Sequence, residues 1–179
     1  MTRSREVPSV HRAPLLSAAA LVLAPLALAA GNATSNATFT YGTYTDVMVG
    51  WDPSTSYSNE ILAMQNMYET LTRYNAKTKK IDPLLATSVA RSKDGMTWTF
   101  TLRKGVTFHT GRPMNAQAAK AAIARTMKLH EGAAYIWDSV KTIATPNPST
   151  LVFHLKYPAP LDLISSADYA AYIDRKSVV

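Results

Sequence analysis

The sharpest periodicity in the chain lies between Thr97 and Leu102, where Trp98, Phe100 and Leu102 alternate with Thr97, Thr99 and Thr101. A period of two puts one set of side chains on each face of a strand, so this run predicts a half-buried β-strand. Asp94-Gly95 ahead of it supplies a reversal, because glycine takes positive φ without steric cost. Leu85 to Gly111 therefore reads as a twisted hairpin followed by a tight turn. Arg103-Lys104-Gly105 breaks the strand, and Val106 and Phe108 resume its apolar face. A second hairpin is predicted from Val140–Thr145 and Thr150–Lys156 over Pro146-Asn147-Pro148-Ser149. Leu151, Phe153 and Leu155 face one way there, and Val152, His154 and Lys156 the other. Thr38–Tyr44, with Phe39, Tyr41 and Thr43 alternating, predicts the first core strand.

Helical spacing appears in three places. Ile61, Met64, Met67, Tyr68, Leu71 and Tyr74 share one face of a helix predicted from a Ser58 or Asn59 cap to about Tyr74, with Met64 and Met67 as core packing. Asn115 is placed to cap an alanine-rich helix from Ala116 to about Leu129, with Gly132 beyond its end. Leu161–Tyr172 is the third. Asp46–Tyr57 is a loop in which Pro53 pushes Asp52 toward an extended conformation.

The N-terminus has a different pattern. Arg3, Arg5 and Arg12 precede an apolar run from Ala13 to Ala30, and no charged residue occurs from Ala13 through Thr45. Ala27-Leu28-Ala29 is a small-x-small exit, so residues 1–29 read as a secretory signal peptide and 30–38 as a polar linker. Pro14, Ser17 and Pro25 weigh against a membrane anchor. Asn32-Ala33-Thr34 and Asn36-Ala37-Thr38 are glycosylation sequons in form and linker in composition.

Composition narrows the chemistry. Over 179 residues, 47% are hydrophobic and 17% charged, which is the composition of a folded domain. With no cysteine, disulfides, thiolate metal sites and cysteine nucleophiles are excluded. The net charge of +7 is dispersed, and its one dense cluster, Lys77, Lys79 and Lys80 beside Asn75 and Asp82, reads as a solvated turn rather than a nucleic-acid patch. Lys120, Arg125 and Lys128 read as a solvated helix face. No phosphate-binding glycine loop or nucleophile elbow is present. His11, His109, His130 and His154 lack metal spacing, and Glu60, Glu69, Asp94 and Asp138 lack acid–base spacing. No catalytic residue, metal ligand or cofactor is assigned.

The stretch Leu85–Gly111 carries Ala86-Thr87-Ser88, Asp94-Gly95, the threonine/aromatic strand, Leu102-Arg103-Lys104-Gly105-Val106 and Phe108-His109-Thr110-Gly111. This combination resembles the family 5 extracytoplasmic solute-binding proteins, the peptide, dipeptide and nickel receptors of ABC importers. Further matching segments are Trp51-Asp52-Pro53, Met67–Tyr74, Asp82-Pro83-Leu84-Leu85-Ala86 and Ser149–Leu155, so the likeness runs from about Phe39 to Ile173. It implies an α/β chain: the N-terminal part of a two-lobed type II periplasmic-binding-protein fold, with a mixed sheet, hairpins and helices. Residues 39–173 would form part of lobe one with its inserted subdomain, leaving the lobe incomplete and the second lobe absent. The last six residues, Asp174–Val179, translate GATCGGAAGAGCGTCGTG, the start of a common sequencing adapter, and are expected to be a non-native tail.

The resemblance implies a substrate-binding component that captures peptides or related small solutes outside the cytoplasmic membrane and delivers them to ABC permease subunits. It implies a periplasmic location without turnover chemistry. Gly31 follows the Leu28-Ala29-Ala30 run where lipoprotein members carry cysteine, so no lipid anchor is expected. The alternative is an exported hydrolase fragment lacking its catalytic part. Ligand contacts are expected at Tyr57, Ser58 and Asn59, and at Tyr135 and Trp137 within Ala133–Trp137. Helix capping is the competing role for Ser58 and Asn59, and core packing for Tyr135 and Trp137. Peptide, nickel chelate, sugar oligomer and opine remain open as ligands.

Overall fold

The computed structural model describes Thr40 and residues 50–174. The expected signal peptide (1–29), the expected linker (30–38) and, apart from Thr40, the strand expected at Thr38–Tyr44 lie outside the described residues.

The first hairpin pairs β1 (Thr72–Asn75) with β2 (Lys80–Pro83). Asn75 closes its turn: its side-chain oxygen accepts from the Lys77 and Thr78 amides, and its Nδ2 donates to Asp82 at 2.8 Å. The clustered lysines are exposed around this turn, as a solvated loop requires.

The two predicted hairpins form the main sheet. β3 (Ala86–Arg91), β4 (Thr97–Leu102), β5 (Val140–Asn147) and β6 (Thr150–Leu155) lie in the order β3-β4-β6-β5. Every pairing among the described residues is antiparallel, so no parallel pair of the mixed sheet implied by the resemblance lies among them. Register explains the core. Phe100 sits opposite Val89 on one side and Leu151 on the other, while Trp98 sits opposite Arg91 and Phe153. Partners across an antiparallel ladder share a face, so the alternating apolar residues converge. Phe100 and Phe153 meet edge-on with centroids 5.3 Å apart. Full burial of each such side chain stabilises by about 1.5–3 kcal/mol.

α2 (Ala116–Leu129) covers this face with Ala116, Ala119, Ala122 and Ile123 buried. Its start is the predicted one: Asn115 Oδ1 accepts from the Ala118 amide at 2.9 Å. Its end is closed by His130, which takes the left-handed conformation at φ 54°, rather than by Gly132. That leaves Gly132 available for another contact.

Two predicted helices are much shorter than their periodicity implied. Instead of continuing to Tyr74, α1 covers only Ile61–Met64; its cap position is Glu60, and no side chain caps it. The chain then turns and enters β1, leaving Met67 and Tyr74 exposed while Met64 and Leu71 are buried. Pairing with β2 overrides the helical pattern. Thr72 is also held where it is, its hydroxyl donating to Asp162 O at 2.7 Å and lying 2.8 Å from Ser165 Oγ. Likewise, α3 stops at Ile164 (Leu161–Ile164). Ser165 and Ser166 turn their hydroxyls back onto the carbonyls of Asp162 and Leu163, competing with helix continuation. Only a short 3-10 turn, Tyr169–Ala171, follows.

Candidate functional site

The loop from Trp51 to Glu60 is built around Asp52. Its carboxylate accepts from the Ser54 amide at 3.0 Å, and its carbonyl accepts from Thr55 and Ser56 at 3.1 and 2.9 Å. Pro53 between them has a fixed φ, so the turn starts in a single shape. Arg125 of α2 holds the same carboxylate with both guanidinium ends, Nη1 to Oδ1 at 2.8 Å and Nη2 to Oδ2. The expected solvated role of Arg125 is thus corrected: its side chain is about three-quarters buried in an ion pair. The pair raises the arginine's pKa further, through its hydrogen bond to Asp52 against the opposing effect of desolvation.

Three more contacts tie this loop down. Ser54 Oγ and Thr126 Oγ1 are 2.8 Å apart in a buried pair. Gly132, at φ 52°, lies so close that a Cβ there would sit 2.8 Å from Thr55 O and 3.0 Å from Ser56 O. The Tyr169 hydroxyl donates to Ser58 O at 2.5 Å. Burial, and then the charge of Glu60, raise the Tyr169 pKa, so the phenol keeps its proton and remains a donor.

Between these ties the candidate contacts are presented to solvent. Tyr57 is 72% exposed, Asn59 is exposed and Ser58 is half-buried. Gly132 brings the second candidate segment alongside, because the 3-10 turn Ala134–Trp137 begins just after it. On that turn Tyr135 is 66% exposed. Trp137 points the other way. It is 1% exposed, its ring stacks 6.0 Å from Phe153, and its Nε1 donates to Ala170 O at 2.9 Å. Trp137 thus fills the core-packing role that competes with ligand contact at this position.

Two surface grooves lie elsewhere. One of about 550 Å³ is lined by Met67, Tyr68, Phe108, His109, Met114 and Ile173 among others. Another of about 470 Å³ runs past Tyr68, Arg73, Tyr74, Asp168 and Tyr172. Neither contains Tyr57, Ser58, Asn59 or Tyr135. Among the described residues no group of three or more histidine, aspartate or glutamate side chains is placed to hold a metal ion, and no helix is long and apolar enough to cross a membrane. Sequence reasoning missed Asp52, Arg125, Gly132 and Tyr169. The Trp51-Asp52-Pro53 match marks the loop, but in sequence Gly132 reads as the glycine beyond the α2 end, and only the structure, with His130 in that place, frees it for the loop contact.

The profile of the bacterial extracellular solute-binding proteins, family 5 (middle region), matches residues 80–177, more than half of the chain. The chain belongs to this family. Among its relatives, the nickel-binding periplasmic protein of Escherichia coli is 48% identical over 61 residues, covering 34% of this chain and 12% of that protein. The probable D,D-dipeptide-binding periplasmic protein DdpA of the same organism is 29% identical over 133 residues, covering 72% of this chain and 26% of the relative. The crystal structure of NikA from Brucella suis in complex with Fe(III)-EDTA superimposes with a TM-score of 0.59 at 28% identity, covering 66% of this chain and 24% of the other. The chain therefore spans about a quarter or less of these relatives. Its α/β architecture is part of a type II periplasmic-binding-protein fold, and the comparisons lend no support to the exported-hydrolase alternative. Of the candidate contacts, Tyr135 falls within the matched residues and Tyr57–Asn59 precede them.

Proposed function

We propose that this chain is the N-terminal part of the substrate-binding component of an ABC importer. It captures peptides or related small solutes outside the cytoplasmic membrane, releases them chemically unchanged and passes them to the permease. Membership in the solute-binding family carries this reading. The local geometry supports it: a loop pinned at both ends that exposes Tyr57 and Asn59, beside a turn that exposes Tyr135. Aromatic faces cover the apolar body of a flexible solute, while polar groups satisfy its polar atoms. Residues 1–29 serve export to the periplasm, residues 30–38 are a linker, and residues 39–173 belong to lobe one. The ligand contacts are Tyr57, Ser58, Asn59 and Tyr135.

The test is calorimetry of the complete receptor containing this chain, against trialanine, D-alanyl-D-alanine and the nickel–histidine chelate, with mass spectrometry of the recovered ligand. Binding of at least one probe and its unaltered recovery is the expected result. Tyr57→Ala is expected to weaken that binding by about 1–3 kcal/mol. Conversion of the ligand at catalytic rates refutes the receptor assignment.

A further inference from the structure

The candidate loop is held by groups that do not themselves face solvent with it. At its start, Asp52 is gripped at two points by Arg125, from a helix 73 residues downstream. Near its end, the Ser58 carbonyl is held by Tyr169, 111 residues downstream. Arg125 reaches inward from a helix whose other basic side chains, Lys120 and Lys128, are exposed. Tyr169 sits at φ 60°, a left-handed conformation that is costly for a bulky side chain. A non-glycine residue kept there while its hydroxyl donates to a loop carbonyl indicates that the surroundings over-determine its position. Between the two ends, Ser54 pairs with Thr126, and Gly132 lets the backbone approach the Thr55 and Ser56 carbonyls.

From this arrangement we propose that the Asp52–Arg125 ion pair and the Tyr169 hydroxyl are paired struts that hold the 54–59 loop in its ligand-accepting shape, which makes Arg125 and Tyr169 positioning residues for solute capture. The inference rests on the receptor reading in that it takes Tyr57–Asn59 as the contact segment. Its physical content is preorganisation. A loop already fixed in the bound shape does not pay ordering entropy when the ligand arrives. Loosening either end then lowers affinity without removing any atom that touches the ligand.

Two measurements test it. In this chain, hydrogen exchange is followed in segment 52–61 of the wild type, Tyr169→Phe and Asp52→Asn. Both substitutions keep side-chain volume; Tyr169→Phe removes its hydrogen bond, and Asp52→Asn removes the ion pair's charge and one of its two acceptors. Exchange in that segment is expected to rise about tenfold, with β4 protection unchanged. Unchanged exchange in segment 52–61 overturns the proposal. In the complete receptor, affinity is measured for whichever of trialanine, D-alanyl-D-alanine and nickel–histidine binds the wild type. A loss of about threefold to tenfold is expected for each variant, the effect of one hydrogen bond, with Arg125→Lys intermediate. A lowered Tm with unchanged affinity means that the struts serve stability alone and overturns the proposal. Tyr57→Ala separates the two levels: if it leaves affinity intact while the strut variants weaken it, Tyr57 is not the contact and the positioning role stands. If Tyr57→Ala weakens binding and the strut variants do not, the contact stands and the positioning role falls.

Discussion

At the scale of single residues, close approach and backbone conformation separate glycines that matter from glycines that do not. Gly132 and Gly105 both have positive φ, 52° and 74°. A Cβ at Gly105 meets nothing within 4 Å, whereas at Gly132 it runs into two backbone carbonyls that have no flexible end to move. Gly105→Ala is therefore expected to cost about 1 kcal/mol, from backbone conformation alone. Gly132→Ala adds the clash and is expected to cost about 2–4 kcal/mol, read as the difference in urea midpoint between the two variants. Equal costs would mean that the 132 turn and the 55–56 carbonyls separate freely. Trp137 teaches a related lesson. Its size and aromaticity qualified it equally for ligand or core; its indole N–H, satisfied by Ala170 O, belongs to the core.

At the scale of elements, the strands were legible because their period of two coincides with a single burial boundary. The residues read as inward in β4 and β6 are the buried ones, Trp98, Phe100 and Leu102 with Leu151, Phe153 and Leu155. The 94–96 turn was legible as well. Asp94 accepts from the Ser92 hydroxyl at 2.5 Å and from the Met96 amide at 3.0 Å, and Gly95 follows at φ 72°. The Ser92 bond, followed by the Met96 bond, pulls the Asp94 pKa below its ordinary 3.8. A lowered folded-state pKa contributes stability that is present above the unfolded value and is lost as pH falls through the folded one. Protection of the Met96 amide is accordingly expected to fade below about pH 3.8 in the wild type and to be weak at every pH in Asp94→Ala. A pH profile that is the same in both proteins would place the titration elsewhere. The cap of α2 was equally readable, and Asn115→Ala is expected to cost about 1 kcal/mol in thermal unfolding. By contrast, α1 and α3 were over-read. Their apolar spacing fits a helix, but Thr72 is claimed by the β1–β2 ladder and Ser165 turns back onto Asp162, and Thr72 is tied to Asp162 and Ser165 across 90 and 93 residues. Arg125 was misplaced for the same reason: nothing local signals a carboxylate 73 residues upstream.

At the scale of the whole molecule, the exposure of the candidate contacts sets what the chain can do by itself. Tyr57 and Tyr135 keep 72% and 66% of their surface open to water, and neither groove among the described residues contains them. A ligand resting there is covered on one side only, yet sites that hold small solutes bury most of the ligand surface. The relatives supply the missing context in length, since this chain covers only 12–26% of each of the two curated proteins and 24% of the solved one. On the proposed receptor reading, the remaining enclosure is expected from a second lobe that closes over the exposed aromatics by hinge motion. Enclosure adds buried area and hydrogen bonds after the entropy of association is already met, so its effect on affinity is large. Residues 1–179 alone are therefore expected to bind the solute that the complete receptor prefers about 100-fold or more less tightly, as measured by calorimetry on both proteins under one buffer. Small-angle scattering is expected to show ligand-induced compaction in the complete receptor and none in the shorter chain. Equal affinities would show that the exposed loop and turn hold the solute without a second lobe.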